Sequence, residues 1–243
     1  MGSKLSGRNA RSKLSIVIPT FQEERYIGVT LSKLKEARTS TPFEIVVVDG
    51  GSTDGTVQKA RRFTNKVYTI RERGISKARN FGAQKASGDV VVFLDADVDP
   101  PPGFVERVLE IFKDTRIGGA TCNIMPAQAK IAERFFFHFY NELIRFVCRF
   151  KPHSRGEFLA VRKALFWAVE GFDEELPCLE DHDLAYRLSK SGKFVFVDDV
   201  TVYESMRRFR RLGLRAVVGT WFIDYLSFIV RGKPLSAIWK PVR

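Results

Sequence analysis

The chain has too few cysteines for a disulfide or zinc framework: Cys122, Cys148 and Cys178 are odd in number and far apart. A reducing compartment suits them. No signal peptide is visible, because the start is polar and the first apolar run, residues 14–19, is too short, so a cytoplasmic protein is expected. Long apolar runs are scarce as well. The most apolar stretch, residues 212–230, is interrupted by Arg215 and Asp224 and makes a poor transmembrane span; an interfacial helix or one packed on the rest of the chain fits better. Neither Gly-x-Gly-x-x-Gly nor Gly-x-x-x-x-Gly-Lys-Ser/Thr occurs, so the phosphate cradles of dinucleotide redox enzymes and P-loop enzymes are missing. Basic excess is missing from the middle of the chain. Residues 14–205 hold 27 basic and 27 acidic side chains, and the net charge of +12 resides in residues 1–13 and from Met206 onward. A nucleic-acid partner is therefore not expected, whereas the basic ends suit an anionic surface such as a membrane.

With 44% hydrophobic content over 243 residues, the chain can bury the core of one large domain. The expected organisation is a basic, flexible segment at 1–13, a catalytic domain at 14–205 and a basic, aromatic helical extension at 206–243. Short apolar runs at 14–18, 43–48, 66–70 and 90–94 alternate with helical spacing at 23–38, 56–63, 75–86 and 103–113. This alternation predicts an α/β fold, a mostly parallel, Rossmann-like sheet flanked by helices, with a C-terminal amphipathic helical extension. A further long helix, rich in aromatics, is expected around 135–150; it could pack in the core or present an apolar surface to an acceptor or membrane.

The chemistry concentrates at strand ends. Asp95 and Asp97 follow the run Val90-Val91-Val92-Phe93-Leu94, and Asp99 lies two residues further on. In an extended segment these three side chains share one side and can converge on a hard cation. Oxygen ligands of this kind suit Mg²⁺ or Mn²⁺, which complete their shells with water and substrate phosphates. A solvated acidic turn would have the same sequence. Asp49 likewise ends the second strand, ahead of Gly50-Gly51-Ser52-Thr53-Asp54-Gly55, where its carboxylate could accept a base N–H and the glycines allow close backbone approach.

Several segments in order carry a resemblance: Ser15-Ile16-Val17-Ile18-Pro19-Thr20-Phe21-Gln22-Glu23-Glu24, Val48-Asp49-Gly50-Gly51-Ser52-Thr53-Asp54-Gly55-Thr56, Gly74-Ile75-Ser76-Lys77-Ala78-Arg79-Asn80-Phe81-Gly82 and Leu94-Asp95-Ala96-Asp97. Gly171-Phe172-Asp173-Glu174 and Leu179-Glu180-Asp181-His182-Asp183-Leu184 follow. The chain resembles family 2 glycosyltransferases of the GT-A fold, with Gln22 standing where the family commonly has Asn. The resemblance implies inverting transfer from a nucleotide-activated sugar, a UDP- or GDP-sugar. It places Pro19, Thr20, Glu23, Asp49, Arg79 and Asp95 around the donor, Asp97 as principal metal ligand with Asp95 and Asp99 beside it, and Arg155, Gly156 and Glu157 on the acceptor side, where a structural salt bridge would account for them equally.

Inversion needs a base opposite the leaving diphosphate, and Asp181 is the candidate, with Glu180 orienting the acceptor. The same two acids would also be favoured simply by the dipole of a helix starting there. His182 could complete a metal shell or be a hydrogen-bonding structural group. A base is needed for a hydroxyl acceptor and not for an ionised polyprenyl phosphate, so the acid pair tilts the acceptor toward a hydroxyl, on a lipid or lipid-linked glycan, with the enzyme peripheral on the inner face of the cell membrane. Polyprenyl-phosphate glycosyl transfer and a non-catalytic nucleotide-binding scaffold are the alternatives.

Overall fold

The computed structural model describes residues 13–36 and 41–236. The basic segment before Lys13, the predicted helix end at 37–38 and residues 237–243, including Lys240 and Arg243, lie outside the described residues. The first half alternates as expected: β1 (Leu14–Thr20), α1 (Ile27–Glu36), β2 (Phe43–Asp49), α2 (Thr56–Arg61), β3 (Val67–Thr69), α3 (Ile75–Lys85), β4 (Val90–Leu94) and the two-residue β5 (Val98–Asp99). Then come α4 (Phe104–Ile111), β6 (Ile117–Pro126), α5 (Ile131–Val147), β7 (Phe158–Arg162), α6 (Lys163–Ala168), α7 (Glu180–Ser191), β8 (Lys193–Glu204), α8 (Arg207–Leu212) and α9 (Leu214–Arg231).

The described strands form one sheet in the order β3-β2-β1-β4-β7-β6-β8-β5. Its first four strands are parallel, in the register Ile16 opposite Ile45 and Val92. Beyond β4 the sheet is mixed: β7 enters antiparallel between β4 and β6, β6 and β8 are parallel, and β5 pairs antiparallel with the end of β8. Strands β1 and β4 are buried along their whole length, as apolar runs covered on both faces must be. Val92 and Leu94 face a core with Leu31, Phe104 and Phe112, while Val91 and Phe93 face the opposite core with Phe166, Phe172 and Leu184. Phe93 meets Phe166 and Phe172 at centroid distances of 5.3 and 4.9 Å.

Helix α3 sits unusually close to the sheet. A Cβ on Gly82 would come within 2.2 Å of Val17 Cγ1, so glycine is what lets this helix, and Arg79 one turn earlier, lie against β1. At the other end of the chain, α8 and α9 fold back on α5. Phe137, Met206, Phe209 and Val217 form a small core of their own, and Trp221 stacks on Tyr140. Among the described residues no helix is long and apolar enough to cross a membrane.

Candidate active site

The acidic strand ends and the start of α7 meet at Arg79. This side chain is buried, donating from Nη1 to Glu180 Oε1 (2.7 Å) and from Nη2 to Asp95 Oδ1 (3.0 Å) and the Gly156 carbonyl (2.8 Å). One guanidinium therefore joins α3, the end of β4, the loop before β7 and the first turn of α7. A Cβ on Gly156 would lie 3.0 Å from Arg79 Nη2, so any larger residue there presses on the guanidinium.

Asp181 adjoins this cluster, its Oδ1 accepting the His182 backbone N–H at 3.0 Å. Glu180 and Asp181 both lie within the first turn of α7, where the helix dipole favours anions. The turn is entered through Leu179 at φ 64°, a left-handed conformation costly for a branched side chain. Burial pushes the Asp181 carboxyl up to about 7 against the pull of Arg79, with Glu157 adding to the rise. Glu180 is raised too, by burial and then by Asp181. The Asp181 value lies where a carboxylate can take up a proton near neutral pH and release it again.

Above these carboxylates lies a cavity of about 520 Å³. Its floor holds Arg79, Asp95, Glu157, Glu180 and Asp181, and its walls are apolar side chains of α5 and α9, among them Phe136, Leu143, Trp221 and Phe222. Arg155 and Gly156 also line it, but the Arg155 guanidinium is committed: it bonds Glu204 (3.1 Å) and lies 3.8 Å from Glu157 and 4.9 Å from the centre of the Tyr140 ring. Burial and Glu157 raise Glu204 well above the usual carboxylate range. Glu157 is lowered, because Arg155 and a hydrogen bond with Glu204 outweigh its burial.

The three aspartates do not stand in one row. The chain turns after Asp95, with the Val98 N–H donated to the Asp95 carbonyl, so the extended spacing assumed from the sequence does not apply. Asp95 faces Arg79, Asp97 forms an ion pair with Arg207 Nε at 3.1 Å, and Asp99, on β5, pairs with Lys33 of α1. Burial pushes Asp95 to about 6 and Asp97 to about 7, opposed by Arg79 and Arg207 respectively. His182 is also apart from Asp97; its ring lies 3.7 Å from that of His153, and burial holds it near 4, in the neutral form. Among the described residues no group of three or more His, Cys, Asp or Glu side chains is gathered closely enough to hold a metal. The donor set of Asp95 and Asp97 nonetheless fits a hard divalent ion, since these are oxygen ligands beside which a cationic guanidinium already rests.

At the end of β2, Asp49 is wholly buried. Its Oδ1 accepts the hydroxyls of Thr20 and Ser52, and Oδ2 the N–H groups of Gly51 and Ser52. Its carboxylate thus shapes the loop and has no free face toward the cleft. Pro19 pairs with Val48 inside the sheet. Gln22 adopts φ 58°, a left-handed conformation that Asn tolerates better, which accounts physically for the residue it replaces in the pattern. Its side chain bonds Thr53 and Asp54 across the loop. Glu23 is held bidentately by Arg207, at 2.5 and 2.8 Å.

Residues 15–169 match the model of Glycosyl transferase family 2, a span that contains Asp49, Arg79, Asp95, Asp97 and Glu157. The chain belongs to this family. A relative, the dolichol-phosphate mannosyltransferase of Pyrococcus furiosus, is 36% identical over 158 residues, covering 63% of this chain and 41% of the relative. The succinoglycan biosynthesis protein ExoA of Rhizobium meliloti is 27% identical over 210 residues, 76% of this chain and 61% of that protein. The chain thus spans less than two thirds of either. Among solved structures, the mannosyltransferase of Pyrobaculum calidifontis in complex with GDP-Man and Mn²⁺ superposes with a TM-score of 0.75 at 23% identity, over 92% of this chain and 65% of that one. The family 2 chain accordingly has the GT-A fold. Sequence reasoning about it missed His153, Glu204 and, above all, Arg207, which had been grouped with the basic C-terminal residues. Arg207 reaches Glu23 across 184 residues, and the signal that places it is its position just beyond Glu204, at the end of a strand the spacing did not reveal.

Proposed function

We propose that the protein transfers a sugar, with inversion, from a UDP- or GDP-sugar to a hydroxyl on a lipid or lipid-linked glycan, with Asp181 as base. The observation that carries this reading is the cavity: carboxylates and Arg79 at its floor, aliphatic and aromatic side chains on its walls. Such a site admits an amphiphile with its polar end down. Asp181 takes the proton of the acceptor hydroxyl as oxygen attacks the anomeric carbon, and Glu180, fixed by Arg79, keeps the local charge arrangement in register. Asp95 and Asp97 would hold Mg²⁺ or Mn²⁺, which stabilises the departing diphosphate. Support for the donor class comes from relatives whose structures contain GDP-Man and UDP-GlcNAc.

A second reading is favoured by the name of the Pyrococcus furiosus relative, a polyprenyl-phosphate acceptor. The floor weighs against it. Arg79 and Arg155 are both matched by carboxylates, so an incoming phosphate would meet net negative charge. Single-turnover assays with a panel of donors and with hydroxyl and phosphate lipid acceptors, on wild type and Asp181→Asn, distinguish the two: a hydroxyl acceptor requires Asp181 and a phosphate does not. If no donor is turned over with any acceptor, the scaffold alternative replaces both.

For location, α5 and α9 expose a shared apolar face through Phe135, Phe139, Phe146, Phe222, Leu226 and Val230, with Arg149, Arg215 and Arg231 exposed beside it. This arrangement supports docking on an anionic bilayer, each nearby basic residue adding about 1 kcal/mol. Sedimentation with anionic liposomes at low salt tests it; protein left in the supernatant counts against membrane docking.

A further inference from the structure

Arg207 commits all three guanidinium nitrogens to the donor side of the cleft. Nη1 and Nη2 bind Glu23, Nε contacts Asp97 Oδ2 at 3.1 Å, and the plane rests over the Tyr26 ring at 4.7 Å. Its side chain is only 17% exposed, and those of Glu23 and Asp97 are 5% and 14% exposed, so these charges depend on one another for neutralisation. Asp97 is also the carboxylate assigned above to the divalent ion, and the inference rests on that assignment.

We propose that Arg207 is the resident counter-cation of the metal position: it neutralises Asp97 and Glu23 while no metal is bound, and it leaves Asp97 when a divalent ion arrives. A guanidinium and a divalent ion cannot share one buried carboxylate oxygen without strong repulsion. Arg207 is also the first residue of α8. Two residues on, Phe209 packs on Phe137 of α5 at 5.4 Å and on Trp221 of α9 at 5.6 Å. Release of Arg207 therefore loosens the start of α8 against the two helices that wall the acceptor cavity. Arg207 is on this account a positioning residue, through which filling of the metal position reaches the acceptor side before any acceptor binds.

The test uses Mn²⁺ alone, without nucleotide, on wild type and Arg207→Met. Calorimetry should show Mn²⁺ binding roughly tenfold tighter in the variant, the size expected from removing one like charge beside the ion. Hydrogen exchange of amides 205–212 should rise several-fold when Mn²⁺ is added to wild type, and be already high and unresponsive in Arg207→Met. If exchange in wild type is unchanged or slowed by Mn²⁺, Arg207 does not leave and the proposal is overturned, even where the variant binds more tightly; the wild-type measurement decides this if the variant fails to fold. Equal affinity in the two proteins overturns it as well. Absence of Mn²⁺ binding in both proteins overturns the proposal, which needs the ion to reach Asp97 unaided, whereas the metal assignment itself fails only if Mn²⁺ also leaves nucleotide binding unchanged.

Discussion

Replacing Asp181 by Asn removes a proton acceptor and almost nothing else. The Asn side-chain oxygen can still accept the His182 N–H, now 3.0 Å from Asp181 Oδ1, and the volume is unchanged. The expected loss in kcat is about 10²–10⁴-fold, the usual contribution of a positioned general base. The pH dependence sharpens this. With the carboxyl raised to about 7 by burial, only about a tenth of the molecules carry the ionised base at pH 6, so kcat should climb roughly tenfold from pH 6 to a plateau above pH 8. The measurement should be made at saturating donor and Mn²⁺, which holds Asp97 ionised and leaves Asp181 as the group that titrates in the complex. In Asp181→Asn both the rate and the slope should be lost. A variant within a few-fold of wild type, or one that keeps the same pH profile, would refute the base assignment and favour an acceptor that arrives already ionised.

Other consequences concern stability and binding. Arg79→Met strands Asp95 and Glu180 without their counter-ion in a buried site and should cost about 3–5 kcal/mol in urea unfolding. Because the stranded carboxyls would then have folded-state pKa values above their unfolded ones, the stability of that variant should fall as pH rises through neutrality. Gly82→Ala forces a methyl against Val17 and should destabilise by about 1–3 kcal/mol, measured as a drop in Tm, and by pushing α3 away from β1 it should also displace Arg79. Asp97→Ala should abolish Mn²⁺-dependent binding of the one nucleotide that wild type prefers in a calorimetric panel of UDP, GDP, CDP and dTDP. The paired changes Phe135→Ser and Val230→Ser, on exposed faces of α5 and α9 outside the cavity, should reduce sedimentation with anionic liposomes while leaving Tm within a few degrees.

What was legible in the sequence was whatever depends on short-range pattern. The valine-rich run of β4 and its aspartates, the loop after Asp49 and the helix carrying Arg79 all follow from local spacing, and the structure has them where they were expected. The parallel half of the sheet follows for the same reason. Strand β8 was not legible because it alternates irregularly between exposed and buried positions. The turn after Asp95 was missed through an assumption of extended geometry, and with it the separation of Asp99, which spends its charge on Lys33. Arg207 was misread for a different reason. Basic residues near a terminus look alike in a sequence, and only tertiary contact separates one that closes on Glu23 and Asp97 from exposed ones such as Arg215 and Arg231.

The same separation of roles explains why the acid pair of α7 is more than a helix start. Two carboxylates in a first turn need no further partner to be favourable there, and a dipole accounts for about 0.3–1 kcal/mol each near the surface. Here both are buried, one is bound by an arginine that also holds Asp95, and the residue before them adopts a strained left-handed backbone. Burial of Glu180 and Asp181 together raises both carboxyls and so opposes folding near neutral pH, the reverse of what stability alone would select. That cost is sustained at the floor of a cavity with apolar walls, where a raised carboxyl is useful for exchanging protons. Replacing both acids by Gln and Asn should therefore leave the protein at least as stable at pH 7 while removing sugar transfer, and a clear loss of Tm in that double variant would return the pair to a structural role.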